Sequence, residues 1–329
     1  MSFDKIGIFG GGAWGTALAQ VASAGGRETL LWAMEDDVVE AINDTRQNPM
    51  FLPGVPLNPA IRATTHLSHL DECGMWLVVT PAQHMRAVLN EAPECDIPMV
   101  LCAKGIEEHS GELLHKIAGE ACPGALVAVL SGPTFAHEVA TGLPTAVTLA
   151  AEDLALAEAL RDRIAQPAFR IYVSDDVAGA EIGGAVKNVL AIACGVVEGK
   201  GLGQNARAAL ISRGFAEMTR FGLAYGARRE TLTGLSGLGD LVLTCSSTSS
   251  RNYSLGKGIG EGRSAAELLA DRRTVAEGAF TAPVLARLAR EKNIDMPIVD
   301  AVDALIAGRE TVDEVLGALL SRPPRAEAL

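Results

Sequence analysis

Hydrophobic and polar positions follow two rhythms along this chain, and the change between them falls around Asp175. Before it, short apolar runs predict strands at Lys5–Phe9, Thr29–Ala33, Ile61–Thr65, Met75–Thr80, Pro98–Ala103, Ala125–Leu130, Thr145–Leu149 and Phe169–Val173. Helix-period stretches fill most of the intervals, beginning with Trp14–Ala24 and Asp37–Asp44, while the proline-bearing segment Arg46 to Pro59 reads as a loop. Strands alternating with crossover helices predict a mainly parallel, doubly wound sheet. From Val177 the pattern turns long and helical, clearest over Val177–Val197 and Asn205–Tyr225, with no strand alternation afterwards. The expected architecture is an α/β domain over residues 1–175 followed by an all-helical domain over 176–329, with a frayed tail after Pro323.

The first strand runs directly into IGIFGGGAWGTALA, where Gly10, Gly12 and Gly15 fit the G-x-G-x-x-G spacing. Glycines in these places permit a tight turn, close approach of backbone to a pyrophosphate, and close packing of helix on sheet. Because the run follows a strand and opens a helix, it predicts dinucleotide binding and a Rossmann-like sheet, with phosphate oxygens meeting free N–H groups at the helix start. Glu35 lies twenty residues after Gly15, where a carboxylate can accept a hydrogen bond from the ribose 2′-OH. Asp36 and Asp37 add negative potential, and no Arg, Lys or His lies between Leu30 and Ile42 to meet a 2′-phosphate. NAD is therefore expected ahead of NADP, which stays as the alternative. The bland reading of the same acids is a favourable start to the next helix.

With 329 residues, 48% of them hydrophobic, the chain can bury two domain cores. Its net charge of −12 opposes a broad electrostatic grip on nucleic acid or on an anionic membrane surface. The six cysteines form no C-x-x-C pair and read as buried thiols in a reducing compartment. With no leader pattern ahead of the first strand and no uninterrupted apolar run of about 18 residues, a cytoplasmic protein without integral membrane association is expected. No metal ligand set is expected.

Four further segments carry candidate chemistry. Lys104, in LCAKGIE, follows a strand that should end at the ligand-binding edge of the sheet; its ammonium can reach a phosphate or carbonyl oxygen, or be an ordinary solvated lysine. In LSGPTFAHE, Gly132, Pro133 and Thr134 make a turn into a helix that suits an anion or cofactor edge, or serves only as a helix start. In AEIGGAVKNVLAIACG, helical spacing puts Lys187 on one face with Gly183, Leu190, Ala191 and Cys194. Burial there would lower its pKa toward neutrality and suit a general acid or base, unless the side chain snorkels to water. Asn188 beside it could orient it or cap a neighbouring backbone group. Asp240, in GLSGLGDLVLTC, could pair with a lysine, and Arg251 with Asn252, after a serine-rich loop, offers a candidate phosphate clamp.

Taken together, GGGAWGTALA, FLPGV, AKGIE, SGPTFAHEVA, GGAVKNVLAIACG, the run from Asn205 through RAALISRGFAEM, GLSGLGDLVLTC, SSRN and VAEG resemble the glycerol-3-phosphate dehydrogenases, especially the soluble bacterial enzymes. They occur in family order over nearly the whole chain. The resemblance implies interconversion of dihydroxyacetone phosphate and sn-glycerol 3-phosphate with NAD(P)H, supplying glycerophospholipid synthesis. It implies Lys187 as proton donor and acceptor, adjusted by Asp240 and assisted by Lys104, with Gly132, Thr134, Ser250, Arg251 and Asn252 lining the substrate. Lys104, Lys187 and Asp240 are expected to touch substrate, and Lys104 and Arg251 also the cofactor. Ala13, Trp14, Ala136, Val275 and Glu277 match cofactor contacts. Bacterial relatives often carry His or Arg where Met34 stands here, a departure that agrees with the ribose argument. The small-molecule substrate is the expected partner, with a homodimer as a candidate state and no nucleic acid. Two other readings are a related dehydrogenase of a 3-hydroxy acid or phosphorylated alcohol, and a non-catalytic NADH-binding sensor.

Overall fold

Eight strands form one sheet: β1 (Lys5–Phe9), β2 (Glu28–Trp32), β3 (Ile61–Thr64), β4 (Met75–Val78), β5 (Pro98–Leu101), β6 (Leu126–Ser131), β7 (Thr145–Ala150) and β8 (Phe169–Ser174). In the computed structural model, which describes residues 5–93, 96–270 and 276–323, their order is β3-β2-β1-β4-β5-β6-β7-β8. All neighbours run parallel except β6 and β7, which are antiparallel. The central strands MWLV and PMVL are buried along their whole length, which is why they read as unbroken apolar runs instead of alternating ones. After β6, the chain passes through Gly132 and the short Ala136–Ala140 helix before returning antiparallel as β7.

Parallel pairing brings the carboxyl ends of β1, β2, β4, β5 and β6 to one edge of the sheet. Because β1 pairs with β2 on one side and β4 on the other, the strand order reverses direction there. Ligands of open α/β sheets bind outside the strand ends at such a switch point.

The chain divides into two compact units, Met1–Ala103 with Leu114–Val177, and Lys104–Leu113 with Ala178–Leu329. Among the described residues no strand follows Ser174, and the second unit is built from helices. Its central helix, Val177–Gly199, is mostly apolar and buried all round, with Val186, Val189 and Ile192 fully buried and Glu181, Lys187 and Asn188 its buried polar residues. It is long and apolar enough to cross a membrane, yet every residue from 179 to 197 is buried within the protein. The Arg251–Gly260 helix packs against it almost backbone to backbone. A Cβ on Gly195 would stand 2.0 Å from the Tyr253 carbonyl oxygen, and one on Gly256 would stand 1.9 Å from that of Ile192. These contacts require glycine. No disulfide joins the described cysteines. The tail after Pro323 lies outside the described residues apart from Pro323 itself.

Candidate active site

In the sheet unit the glycine turn has the geometry that its spacing predicts. Gly10 follows β1 at φ +120°, a backbone conformation that disfavours any side chain. A Cβ on Gly15 would lie 1.9 Å from the Gly10 carbonyl oxygen, so only glycine lets the Ala13–Ala24 helix start this close to the turn. Gly12, the residue capping that helix, is exposed and would meet no atom within 4 Å. The site thus offers open space beside free helix-start N–H groups, which fits a diphosphate. Buried Asn48, from the proline-bearing loop, fixes the turn by donating to the Gly11 carbonyl and to Thr16 Oγ1, both at 2.8 Å. The Trp14 indole N–H, in the first helical turn, is buried and meets no acceptor among the described residues. An orphaned donor beside a glycine cradle also fits a dinucleotide.

Glu35 caps the Asp36–Thr45 helix from just beyond β2, its side chain exposed and making no capping bond. Met34 beside it is 75% exposed. Beyond β6, Gly132 is held at φ +155° and Thr134 Oγ1 donates to the Gly132 carbonyl at 3.3 Å, while Ala136 opens the next short helix.

In the helical unit the structure brings three predicted residues into one cluster. Lys187 Nζ donates to Asp240 Oδ1 at 2.8 Å, and Lys104 Nζ donates to Asp240 Oδ2 at 2.7 Å. Asp240 is fully buried and Lys187 is 6% exposed, which rules out a snorkelling lysine. Lys104 belongs to this unit although the residues on either side of Lys104–Leu113 belong to the sheet unit. The alignment of Asp240 with Lys187 follows from another glycine contact: a Cβ on Gly183, one turn before Lys187, would stand 2.4 Å from the Ser236 carbonyl oxygen. Ser236 lies in a single π-turn, Leu235–Gly239, immediately ahead of Asp240.

Sequence reasoning missed Thr244. Its Oγ1 accepts from Lys187 Nζ at 2.8 Å and donates to Asp240 Oδ1 at 3.2 Å. The signal was present as the i,i+4 spacing of Asp240 and Thr244, which puts both on one helix face. A buried and a part-buried ammonium group sharing one carboxylate leave an excess positive charge. Burial, reinforced by the charge of Lys104 and opposed by Asp240, pulls the Lys187 pKa down from its ordinary value to about 8. Two of the three N–H donors of Lys187 are engaged, leaving one for a further oxygen.

A second polar network lies at the start of the Arg251–Gly260 helix. Ser250 caps it, accepting from the Tyr253 N–H at 3.2 Å, and Arg251 is exposed at the first helical position. Asn252 is tied on both ends of its amide: Nδ2 donates to Asn188 Oδ1 at 3.0 Å, and Oδ1 accepts from the Gly278 N–H at 2.9 Å. Asn188 therefore braces Asn252 and makes no bond to Lys187. Glu277 is the first residue of the Glu277–Glu291 helix, while Val275 lies outside the described residues.

Comparison with known proteins agrees with this geometry. The profile described as NAD-dependent glycerol-3-phosphate dehydrogenase N-terminus matches residues 5–157, and the one described as its C-terminus matches residues 176–317. A protein of Erythrobacter litoralis named glycerol-3-phosphate dehydrogenase (NAD(P)+) is 63% identical over 323 residues, covering 98% of each chain. One of the same name from Caulobacter vibrioides is 55% identical over 331 residues, covering 100% of both. The crystal structure of glycerol-3-phosphate dehydrogenase from Coxiella burnetii superimposes with a TM-score of 0.92 at 36% identity, covering 97% of this chain and 99% of that one. A glycine cradle on a doubly wound sheet, a helical unit with a buried Lys–Asp–Lys cluster, and full-length similarity at this level have one reading: the chain belongs to the NAD-dependent glycerol-3-phosphate dehydrogenase family.

Proposed function

We propose that this chain interconverts dihydroxyacetone phosphate and sn-glycerol 3-phosphate, with Lys187 as the group that gives and takes the proton. The observation that carries the reading is a buried lysine at neutral-range pKa, hydrogen-bonded to a carboxylate that a second lysine shares. Reduction of the ketone adds a hydride to carbon and a proton to oxygen. A nicotinamide dinucleotide held by Gly10, Gly12, Ala13, Trp14 and Gly15, with Lys104, Ala136, Arg251, Val275 and Glu277 as further contacts, would supply the hydride.

Lys187 holds a proton at Nζ for the carbonyl oxygen, where negative charge develops as the bond is reduced. Asp240 and Thr244 fix the direction of that ammonium, and a pKa near 8 lets it release the proton far more readily than an ordinary lysine would. Lys104 adds a second positive charge against the oxygen-rich substrate. Arg251, with the N–H groups that open its helix, takes the phosphate, as do Ser250 and Asn252. The bonds to Asn188 and Gly278 fix the Asn252 amide and leave one of its two Nδ2 N–H donors for a phosphate oxygen. Gly132 and Thr134 line the substrate from the sheet unit.

Residues 1–175 act as the cofactor domain and 176–329 as the substrate domain, with Lys104 lent to the latter. Glu35 and its acidic neighbours favour NAD over NADP by holding the ribose hydroxyl and repelling a phosphate. The product serves glycerophospholipid synthesis in the cytoplasm, with a homodimer as the candidate state. A 3-hydroxy acid would leave Arg251 without its phosphate, and a mere NADH sensor would have no use for a buried Lys–Asp–Lys cluster.

The test is the oxidation of NADH with dihydroxyacetone phosphate by the wild type and by Lys187→Ala. Turnover should fall about 10²-fold or more, the scale of a lost general acid, with NADH affinity little changed. Near-normal turnover in the variant would remove Lys187 from the role.

A further inference from the structure

The segment that carries Lys104 is itself built in an unusual way. Three residues after β5 ends, the chain joins the helical unit at Lys104, stays there through Leu113, and leaves again. Ile106 and Leu113 pair as an antiparallel bridge and are both buried in the core of the helical unit. Between them the strap closes on itself. The Glu107 N–H donates to the Glu112 carbonyl at 3.2 Å and the Gly111 N–H donates to the Glu107 carbonyl at 2.9 Å. Ser110 Oγ donates to Glu107 Oε2 at 2.5 Å and accepts from the Glu112 N–H at 3.1 Å.

The tip of the strap rests on the Glu277–Glu291 helix. Arg287 Nη2 donates to the Glu108 carbonyl at 3.4 Å. Gly111 sits at φ +75°, and a Cβ there would come within 3.1 Å of both Arg287 Nη2 and Leu288 Cδ2. None of these residues touches Lys187 or Asp240 in the contacts described above, yet Lys104 lies two residues before Ile106 and ends on Asp240.

We propose that the strap Ile106–Leu113 is a positioning element, which locks Lys104 into the helical unit so that the Lys104–Asp240–Lys187 cluster is assembled within that unit alone. The proposal rests on the reading of Lys187 as proton donor. A lysine stem has four rotatable carbons and would otherwise spread its ammonium over many positions. Anchoring the backbone two residues away narrows those positions, and Ser110 with Gly111 sets the anchor. The charged, titratable or hydroxyl groups around Lys187 are Asp240, Thr244 and Cys245 from the segment after the π-turn, and Lys104 from just ahead of the strap. Of these, only Lys104 is fixed by the strap. The positive charge of Lys104 opposes ionisation of Lys187, so a displaced Lys104 must raise the pKa of Lys187.

The experiment measures kcat and KM for dihydroxyacetone phosphate across pH for wild type, Lys104→Met, Ser110→Ala, Ser110→Thr and Gly111→Val, with circular dichroism to confirm folding. In Ser110→Ala, kcat/KM should fall about 10-fold, inside the ~10²-fold that a 1 Å misplacement remote from the chemistry can cost. The falling limb of kcat should move to higher pH, as it does in Lys104→Met, and Ser110→Thr should restore both. A purely structural role would lower the folded fraction without moving the limb. If Lys104→Met shifts the limb while Ser110→Ala and Gly111→Val leave it at the wild-type position, the strap has no positioning role and the reading of Lys187 stands. If Lys104→Met also leaves it in place, both are overturned.

Discussion

The glycine turn of the sheet unit and the charged cluster of the helical unit differ in what holds them. The turn is made from neighbours in sequence, and its shape follows from missing side chains: the positive φ of Gly10 and the 1.9 Å that a Cβ on Gly15 would leave to the Gly10 oxygen. The cluster joins residues 53 and 136 positions apart, and its shape follows from side chains that are present, buried and charged. A backbone site tolerates changes around it as long as nothing fills its space. A charge cluster built on one shared carboxylate fails when that carboxylate leaves, because both ammonium groups are then unpaired.

That contrast sets the order of expected effects. Asp240→Ala strands two ammonium groups and should be the most damaging change. We expect a loss of about 3–5 kcal/mol in unfolding free energy, the usual scale for breaking a buried ion pair, and about 10²–10⁴-fold in turnover. Urea denaturation and steady-state kinetics measure both, and an Asp240→Ala protein of wild-type stability would refute the account of the cluster. Gly15→Val comes next. It should abolish NADH binding by forcing the helix off the turn, at an overpacking cost of about 1–3 kcal/mol, while the helical cluster keeps its geometry. Fluorescence titration with NADH reads the first effect, and retained binding would show that the turn is not the cradle. The smallest effect is in cofactor choice: the KM for NADH should be about 10-fold below that for NADPH, roughly 1.4 kcal/mol, and Glu35→Arg should narrow or reverse the gap. A wild-type preference for NADPH would remove Glu35 from that role.

The same contrast explains how much was legible in the sequence. All eight strands appear within a residue or two of their predicted positions, because short apolar runs between helix-length stretches leave few other folds, and the long helices appear where the 3.6-residue period begins. Gly10, Gly12 and Gly15 were readable for the same local reason. Lys187 was readable as a lysine on an apolar helix face, and Asp240 as a possible partner. That Asp240 holds two lysines at once was not readable, because it depends on the approach of Gly183 to the Ser236 backbone and on the strap that carries Lys104 away from its strand. Thr244 had an i,i+4 signal, but one no stronger than that of many surface threonines. Asn252 reads as part of a phosphate clamp and Asn188 as a residue that orients Lys187 or caps a backbone group; the bond between them appears only when two helices meet at Gly195 and Gly256.

The central claim is that a buried Lys187, held by Asp240 and opposed by Lys104, supplies the proton. The pH dependence of kcat for dihydroxyacetone phosphate reduction tests it most directly. Burial also pushes the buried Glu217 carboxyl up to about 8, partly offset by the N–H groups of Ile298 and Val299. With a folded pKa above its ordinary value of 4.5, the stability linked to Glu217 is full at low pH and lost as pH rises through about 8. Circular dichroism at each pH therefore has to accompany the kinetics. The account predicts that kcat is level near neutrality and falls as Lys187 loses its proton around pH 8, in protein that is still folded. A kcat that stays level up to the ordinary lysine range, near 10.5, would contradict it.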